Sequence, residues 1–531
     1  VFRDQQFTSD MHNQEIKRIE DVKFLRKNQF REDSGATSHP VKPDKYLEID
    51  NFYTTTIYEK GSEIIKMAQT LTNEKFFRQG FDYFISRYDG KAATIDEFID
   101  SIFRNRTNID IHKFKIWYKQ NGTPNVTFKR IWDQKEKKLT ILISQFNLDN
   151  KNKNNKIPLI MPINIAIFTD KNQIKEYKFI LKKVSDIFEI NNLDTSNMPI
   201  TTYFRGFSAP VKWQTDLKFS EELFIIENEI DLFSIYDSTS RLYKYLITKR
   251  FENNIEINNE NKLIKSISSI IKNKKNINLS LLSEILHIPN FAELESESNI
   301  INPLKFYEIN EKLNRRFGES LKADLIDKYK EIHTNIYDKW PNGKDERKLV
   351  EVIWRLLLYA NDKNIKKSII NFVGGNNMTL SKSALNVLQL FNCEETLEAR
   401  DIFFKKWESN SVVLDTWFYF SASIEVLDSI DNLENLFKHK KFDPKSPNTL
   451  RSILSGFVLN NRCFHKEDGS SYKYIAEKIV EFDNINPIII SRFIKIFSRW
   501  KFYVEPYKSN MYNSIKYINN FNLSQNSREV I

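Results

Sequence analysis

Hydrolytic or redox chemistry in this 531-residue sequence would have to be built from seven histidines, two cysteines and a few glycine-bearing turns. A divalent metal is most economically held by two imidazoles one helical turn apart, as in His-Glu-x-x-His, where the glutamate beside them acts as base. His12, His39, His112, His287, His333, His439 and His465 never stand three or four residues apart, so no local pair exists and each is expected on the surface or in a loop. Cys393 and Cys463 lack a recognisable nucleophile context and are expected as small core residues. Neither Gly-x-Gly-x-x-Gly nor Gly-x-x-x-x-Gly-Lys occurs, and Gly374-Gly375-Asn376-Asn377 reads as a turn between helices. That leaves Asn51–Gly61, an aromatic and β-branched run that changes abruptly into a helix at Ser62. Its Tyr58 places a phenol at the helix start, where tyrosine by residue type alone is a half-buried packing residue.

The elements that must position these side chains fall into three textures. From Val1 to Gln29 the apolar spacing is helical; a loop over Arg31–Asp44 carries one glycine and two prolines, and Phe52–Ile57 reads as a short extended segment. Helices follow near Glu74–Tyr88, Ile95–Arg104 and Ile111–Lys119. At Asn121-Gly122-Thr123-Pro124 the pattern changes to strands, over Asn125–Ile131, Leu139–Phe146, Pro162–Thr169, Ile174–Ile180 and Thr202–Phe207, with a polar loop at Asp149–Lys156. Short strands at regular spacing predict a β-sandwich carrying no chemistry. After Pro210-Val211-Lys212-Trp213 helical periodicity runs to the end in about fourteen segments, among them Pro303–Arg316 and Ala323–Tyr337, which predicts stacked helix pairs in an α-solenoid. The expected partition is residues 1–121, 122–216 and 217–531, in a multi-domain, mainly α chain.

Composition narrows the function classes. Hydrophobic residues at 40% and charged residues at 28% are ordinary for a globular protein, and no stretch approaches the about eighteen apolar residues of a membrane span. A net charge of +10 raises nucleic acid as a partner, but lysine is scattered among asparagine and isoleucine instead of forming an arm or stripe, which argues against it. Two cysteines make no disulfide framework, so a reducing, cytoplasmic setting is expected. The opening Val1-Phe2-Arg3-Asp4 has neither initiator methionine nor leader pattern and reads as the continuation of a longer chain.

Several stretches, in order, resemble the zinc aminopeptidases of the aminopeptidase N family. Val1-Phe2-Arg3-Asp4-Gln5-Gln6-Phe7 is similar to the segment after that family's third zinc ligand. His39-Pro40-Val41-Lys42-Pro43 and Asn51–Gly61 resemble its next two blocks. Asp89–Thr94 and Trp117–Pro124 resemble the end of its catalytic domain, and Phe207–Lys212, Asn376–Thr379 and Phe464–Gly469 are similar to its later segments. The resemblance implies the helical tail of a thermolysin-like catalytic domain, a β-sandwich and a C-terminal α-solenoid capping the active site. It implies that Tyr58 is the catalytic tyrosine, whose O–H stabilises the oxyanion built when zinc-bound water attacks the scissile carbonyl. It also implies that Arg451 and Arg492 face an internal cavity, where they could hold a peptide's carboxylate or backbone oxygens.

The family's zinc ligands, general base and Gly-x-Met-Glu-Asn segment precede the Val-Phe-Arg-Asp-Gln block. The expected chain is therefore a C-terminal portion that binds no metal and is inactive alone, with peptides as substrates and the missing N-terminal portion as partner. The competing expectation is a non-catalytic solenoid and β-sandwich scaffold whose positive charge recruits an acidic or nucleic-acid partner.

Overall fold

The computed structural model describes residues 1–105, 109–147, 157–169, 174–273, 277–339, 341–424 and 429–531. The polar loop expected at Asp149–Lys156 lies outside the described residues. The chain divides into two compact units, Val1–Thr239 and Ser240–Ile531.

The first unit begins with helices Phe2–Met11 and Gln14–Phe24, the second capped by Asn13, whose side chain accepts from the Ile16 N–H. Helicity then continues through a π turn, Leu25–Gln29, into Phe30–Ser34, further than the apolar spacing predicts. Helices Gly61–Thr72, Glu74–Tyr88 and Ile95–Phe103 follow, the last opened by a capping box between Thr94 and Glu97.

Seven strands come next: β1 (Asn125–Asp133), β2 (Lys138–Phe146), β3 (Met161–Phe168), β4 (Ile174–Leu181), β5 (Ser185–Ile190), β6 (Ile200–Tyr203) and β7 (Lys212–Gln214). They form two sheets, ordered β5-β2-β1-β7 and β4-β3-β6. Strand alternation sends Val126 and Phe128 of β1, and Leu139, Ile141 and Ile143 of β2, into one core with Ile163, Ile165 and Ile167 of β3. That core continues into the helices through Trp117, whose indole N–H donates to the Ile160 carbonyl at 2.7 Å.

Two sequence expectations change in this region. β5 and β7 are strands that the alternation does not announce, since β7 is three residues long and pairs in parallel with β1. The strand expected over Thr202–Phe207 stops at Tyr203, because Phe204, Gly206 and Phe207 take positive φ values of 52°, 61° and 55° and turn the chain away.

The described residues of the second unit form helices joined by loops, with one isolated parallel bridge between Ile301 and Tyr503. Asn278, Asn290, Asn302, Asn377, Asn410 and Asn460 each cap a helix by accepting a backbone N–H, which gives much of the asparagine bias a local purpose. Pro303–Ile332 is one 30-residue helix, not the two expected on either side of Gly318. Gly318 is there because that helix lies directly on Lys344–Tyr359: a Cβ at Gly318 would sit 2.3 Å from the Leu356 carbonyl oxygen. Gly456 plays the same part against Tyr419, also at 2.3 Å.

Two of the histidines lie in loops, as expected, and are tied into packing there. His465 is buried and hydrogen-bonded to the Tyr472 hydroxyl at 2.6 Å, and His287 sits between Glu293 at 2.8 Å and Arg355 at 3.2 Å. Cys463 is buried as expected, whereas Cys393 is half-buried just before helix Glu394–Trp407. Lys406 donates to the carbonyls of Gly374 and Gly375 at 2.9 and 2.6 Å, so the paired glycines form a structural turn.

Candidate active-site segment

The stretch Asn51–Gly61 is not extended. A helical turn, Ile49–Phe52, leads through Tyr53 into a π turn, Thr56–Lys60, in which the Gly61 N–H reaches back five residues to the Thr56 carbonyl. The β-branched run Thr54-Thr55-Thr56-Ile57 favours a strand. Tertiary bonds override that preference, because the Thr56 N–H and hydroxyl both donate to Glu32 Oε1, at 3.0 and 2.6 Å. Gln29, the last residue of the other π turn, donates to the same hydroxyl at 3.3 Å.

Beneath this turn two buried charge pairs fix the start of helix Gly61–Thr72. Lys60 donates to Asp33 Oδ2 at 2.8 Å and to the Gly122 carbonyl at 2.9 Å, with both charged side chains almost fully enclosed. Asp33 also accepts from the Gly122 N–H at 3.1 Å and the Thr123 hydroxyl at 3.0 Å, tying helix Phe30–Ser34 to the first residues of the sandwich. Burial alone would push the Asp33 carboxyl up; the adjacent Lys60 charge and these hydrogen bonds outweigh it and hold the group below the usual carboxylate range. One turn later Glu63 is gripped by Arg18 through two bonds of 2.6 and 2.5 Å. Arg18 also donates to the carbonyls of Gly206 and Phe207, both at 3.0 Å.

With Thr56, Lys60 and Glu63 committed inward, Tyr58 faces out. It is 46% exposed, its ring stacks on Tyr53 with centroids 6.0 Å apart, and its hydroxyl makes no hydrogen bond among the described residues. Beside it Glu59 is half-buried, its carboxyl pushed up by burial and then by the nearby Asp21 and Glu63 charges. Lys66, two turns further along, is pushed down to about 8 by burial, with Arg18 adding to the effect. The arrangement is a rigid helix start that presents a free phenol O–H beside ionisable groups, a geometry able to donate a hydrogen bond to an oxygen that gains charge.

Arg451 and Arg492 lie in the second unit. Arg451 is exposed on helix Pro447–Leu459 and donates to Asn448 Oδ1 at 2.8 Å. Arg492 is exposed on helix Pro487–Ile494, which packs against the former, and has no ion pair among the described residues. Arg451, through the N–H groups not bonded to Asn448, and Arg492 could each take an anionic or carbonyl partner.

No three His, Cys, Asp or Glu side chains among the described residues are grouped to hold a metal ion. The described residues of this chain therefore do not fit a zinc site. The residues that sequence reasoning missed are the ones that hold Tyr58 in place: Gln29, Glu32, Asp33, Lys60, Arg18 and Glu63. One signal was available, since Lys60 and Glu63 sit three apart on the face of the helix that otherwise turns apolar residues inward.

Three family descriptions tile the chain. The peptidase family M1 domain matches residues 1–118, a domain of unknown function with an Ig-like fold (DUF3458) matches 122–216, and its companion of ARM repeats (DUF3458_C) matches 220–531. Aminopeptidase N of Escherichia coli (strain K12) is 29% identical over 518 residues, covering 95% of this chain and 59% of the relative. The chain belongs to the DUF3458_C family, whose model alone matches more than half of it, and is a relative of aminopeptidase N. Aminopeptidase N of Haemophilus influenzae is likewise 29% identical, over 93% of this chain and 58% of its own length. The chain thus spans well under two thirds of the curated relatives it matches. Legionella pneumophila aminopeptidase A, solved in complex with aspartic acid, superposes with a TM-score of 0.88 at 22% identity, covering 100% of this chain and 61% of that one. It shares the fold of helical segment, Ig-like sandwich and helical repeats.

Proposed function

We propose that these residues are the C-terminal portion of a zinc-dependent aminopeptidase that removes N-terminal residues from peptides, and that Tyr58 is its oxyanion-stabilising donor. The observation that carries the proposal is the outward Tyr58 hydroxyl, unpaired among the described residues, on a π turn whose neighbours are locked by Glu32, Asp33 and Arg18. Such preorganisation matters because a donor aimed at an oxygen stabilises it in proportion to the charge it acquires, more in the tetrahedral transition state than in the planar amide. A phenol that need not first break a bond to a neighbour does this without reorganisation.

The metal ligands and the general base would be supplied by residues outside 1–531, a reading supported by the 59% share of the Escherichia coli relative that the chain spans. Alone, the chain is expected to be inactive, and the rest of the same enzyme is its partner. In this reading residues 1–121 complete the catalytic domain, 122–216 form the sandwich and 217–531 the cap, working in the cytoplasm. Arg451 and Arg492 hold carboxylate or carbonyl oxygens of the peptide beyond the scissile bond.

The test is Tyr58→Phe in the intact enzyme, assayed with an aminoacyl arylamide. Removal of an oxyanion donor is expected to lower kcat by about 10²–10³ with KM little changed. An unchanged kcat would return Tyr58 to a packing role.

A further inference from the structure

The first unit contains a cavity of about 760 Å³, in the size range of small-molecule sites. Helix Gln14–Phe24, strands β3 and β4, and the turn after β6 contribute to its wall. Its polar lining is uneven in what is already committed. Arg205 donates through its two terminal nitrogens to Glu176 and, at 2.9 Å, to Glu229, and the Lys178 ammonium donates to the Thr70 carbonyl. The cations of the wall are therefore engaged.

The acceptors are only half engaged. Glu15 accepts the Leu232 N–H through Oε1 at 3.3 Å, and Asp231 caps Ser234 through Oδ2 at 2.8 Å, which leaves the second oxygen of each carboxylate without a donor among the described residues. Burial pushes the Glu15 carboxyl up, and the Asp231 charge pushes it the same way. Asn164 Oδ1 is buried with no hydrogen-bond partner. Because Asp231 and Glu15 already answer the N-terminal N–H groups of the helix that starts at Leu232, an anion finds no vacancy there.

Alongside these acceptors is one unsatisfied donor. The Arg205 side chain is only 10% exposed, and its Nε–H, buried and without a partner, belongs to the same wall. Burying a polar group unpaired is costly, so a ligand that pairs Asn164 Oδ1 and the Arg205 Nε–H recovers that penalty, whereas the exposed Glu15 and half-buried Asp231 contribute charge attraction. The missing complement is an ammonium carrying three donors, next to an oxygen that accepts one bond. Ile165, Ile230 and the Tyr177 ring line the remainder, which suits an aliphatic side chain.

We propose that this cavity binds an α-amino acid with an apolar side chain, either free or as the N-terminal residue of a peptide. Its ammonium is held by Glu15, Asp231 and Asn164 Oδ1, and its carboxylate or carbonyl oxygen by Arg205 Nε–H. The proposal uses none of the residues around Tyr58 and does not rest on the aminopeptidase reading.

Calorimetric titration of the full chain with four probes tests it. L-leucine carries both groups with a free carboxylate, L-leucinamide mimics a peptide N-terminus, 3-methylbutylamine keeps only the ammonium and 4-methylpentanoate keeps only the carboxylate. Saturable binding is expected for leucine, leucinamide or both, and their ratio separates the free acid from the peptide end. The amine and the acid alone are expected to bind at least about tenfold more weakly, the loss of one charge-assisted hydrogen bond. Glu15→Gln and Asp231→Asn, which keep their backbone acceptor roles, are each expected to weaken the better probe at least about tenfold, and Asn164→Leu to weaken it without touching either carboxylate. Binding by neither leucine nor leucinamide overturns the proposal, as does equal binding by the Glu15→Gln/Asp231→Asn double variant once circular dichroism shows it folded.

Discussion

Replacing Lys60 by methionine tests how the Tyr58 turn is held. The substitution keeps the buried stem and removes the ammonium, leaving Asp33 enclosed without its counter-charge. Removing one partner of a buried ion pair costs about 3–5 kcal/mol. Here Asp33 retains bonds from the Gly122 N–H and the Thr123 hydroxyl, so the lower end is expected, about 3 kcal/mol, roughly a hundredfold in the local opening equilibrium. Hydrogen exchange of peptides covering residues 29–62, read by mass spectrometry across a urea series, measures it.

The pH dependence gives the sharper check. In the wild type the Asp33 carboxyl is held below its unfolded value, so its stabilisation is present above the ordinary carboxylate range and is lost as pH falls through the depressed folded value. In the variant, burial is no longer opposed by Lys60 and the carboxyl moves up, so acidification protonates it and relieves the penalty. The gap between variant and wild type is therefore expected to narrow as pH falls from 7 toward 4. A deficit below about 1 kcal/mol at pH 7, in the range of an exposed pair, refutes the reasoning, as does a deficit that widens on acidification. Adding Asp33→Asn to Lys60→Met is expected to recover part of the loss at pH 7, since the uncompensated charge is gone.

Three further outcomes are expected. Gly318→Ala forces a Cβ to 2.3 Å from the Leu356 carbonyl and should destabilise the second unit by about 1–3 kcal/mol in urea melts, whereas the glycine-to-alanine change would stabilise an unobstructed helix. Lys66 should titrate near pH 8 in competitive acetylation and be modified faster at that pH than the exposed lysines; a value near 10.5 would mean that its amine is solvated. Arg451→Gln and Arg492→Gln in the intact enzyme should raise KM for longer peptides more than for aminoacyl arylamides, and an unchanged KM and length preference would remove both from substrate binding.

How much of this was legible depended on the range of the forces involved. The helices of both units follow from apolar spacing within single segments, and the sandwich from alternation in β1 to β4. Tertiary bonds were not legible. The Thr56 run reads as a strand until Glu32, 24 residues earlier, captures its N–H and hydroxyl. Gly318 reads as a break until a neighbouring helix is seen to need the space. The pairs Asp33–Lys60 and Arg18–Glu63 join residues 27 and 45 positions apart, a separation at which charge patterning in one sequence carries no signal. The resemblance supplied Tyr58, Arg451 and Arg492 as candidates, but not what holds them.

The π turn at Thr56–Lys60 has a consequence for how this segment can change. A π turn accommodates one residue more than the α-helical turn it replaces while leaving the helix on either side in its own register. Deleting a single residue there would restore an ordinary α turn and leave both Gly61–Thr72 and the residues before it on their own faces, whereas the same deletion inside a regular helix would rotate one side by about 100° around the helix axis. The outward phenol and the inward scaffold are thus separable by one codon: a deletion could retract the tyrosine without unfolding the domain, and an insertion into an ordinary helix could have produced it. The same holds for Leu25–Gln29, whose Gln29 touches the Thr56 hydroxyl, so the two turns are the places where length variation in this segment is least damaging to the fold and most visible in function.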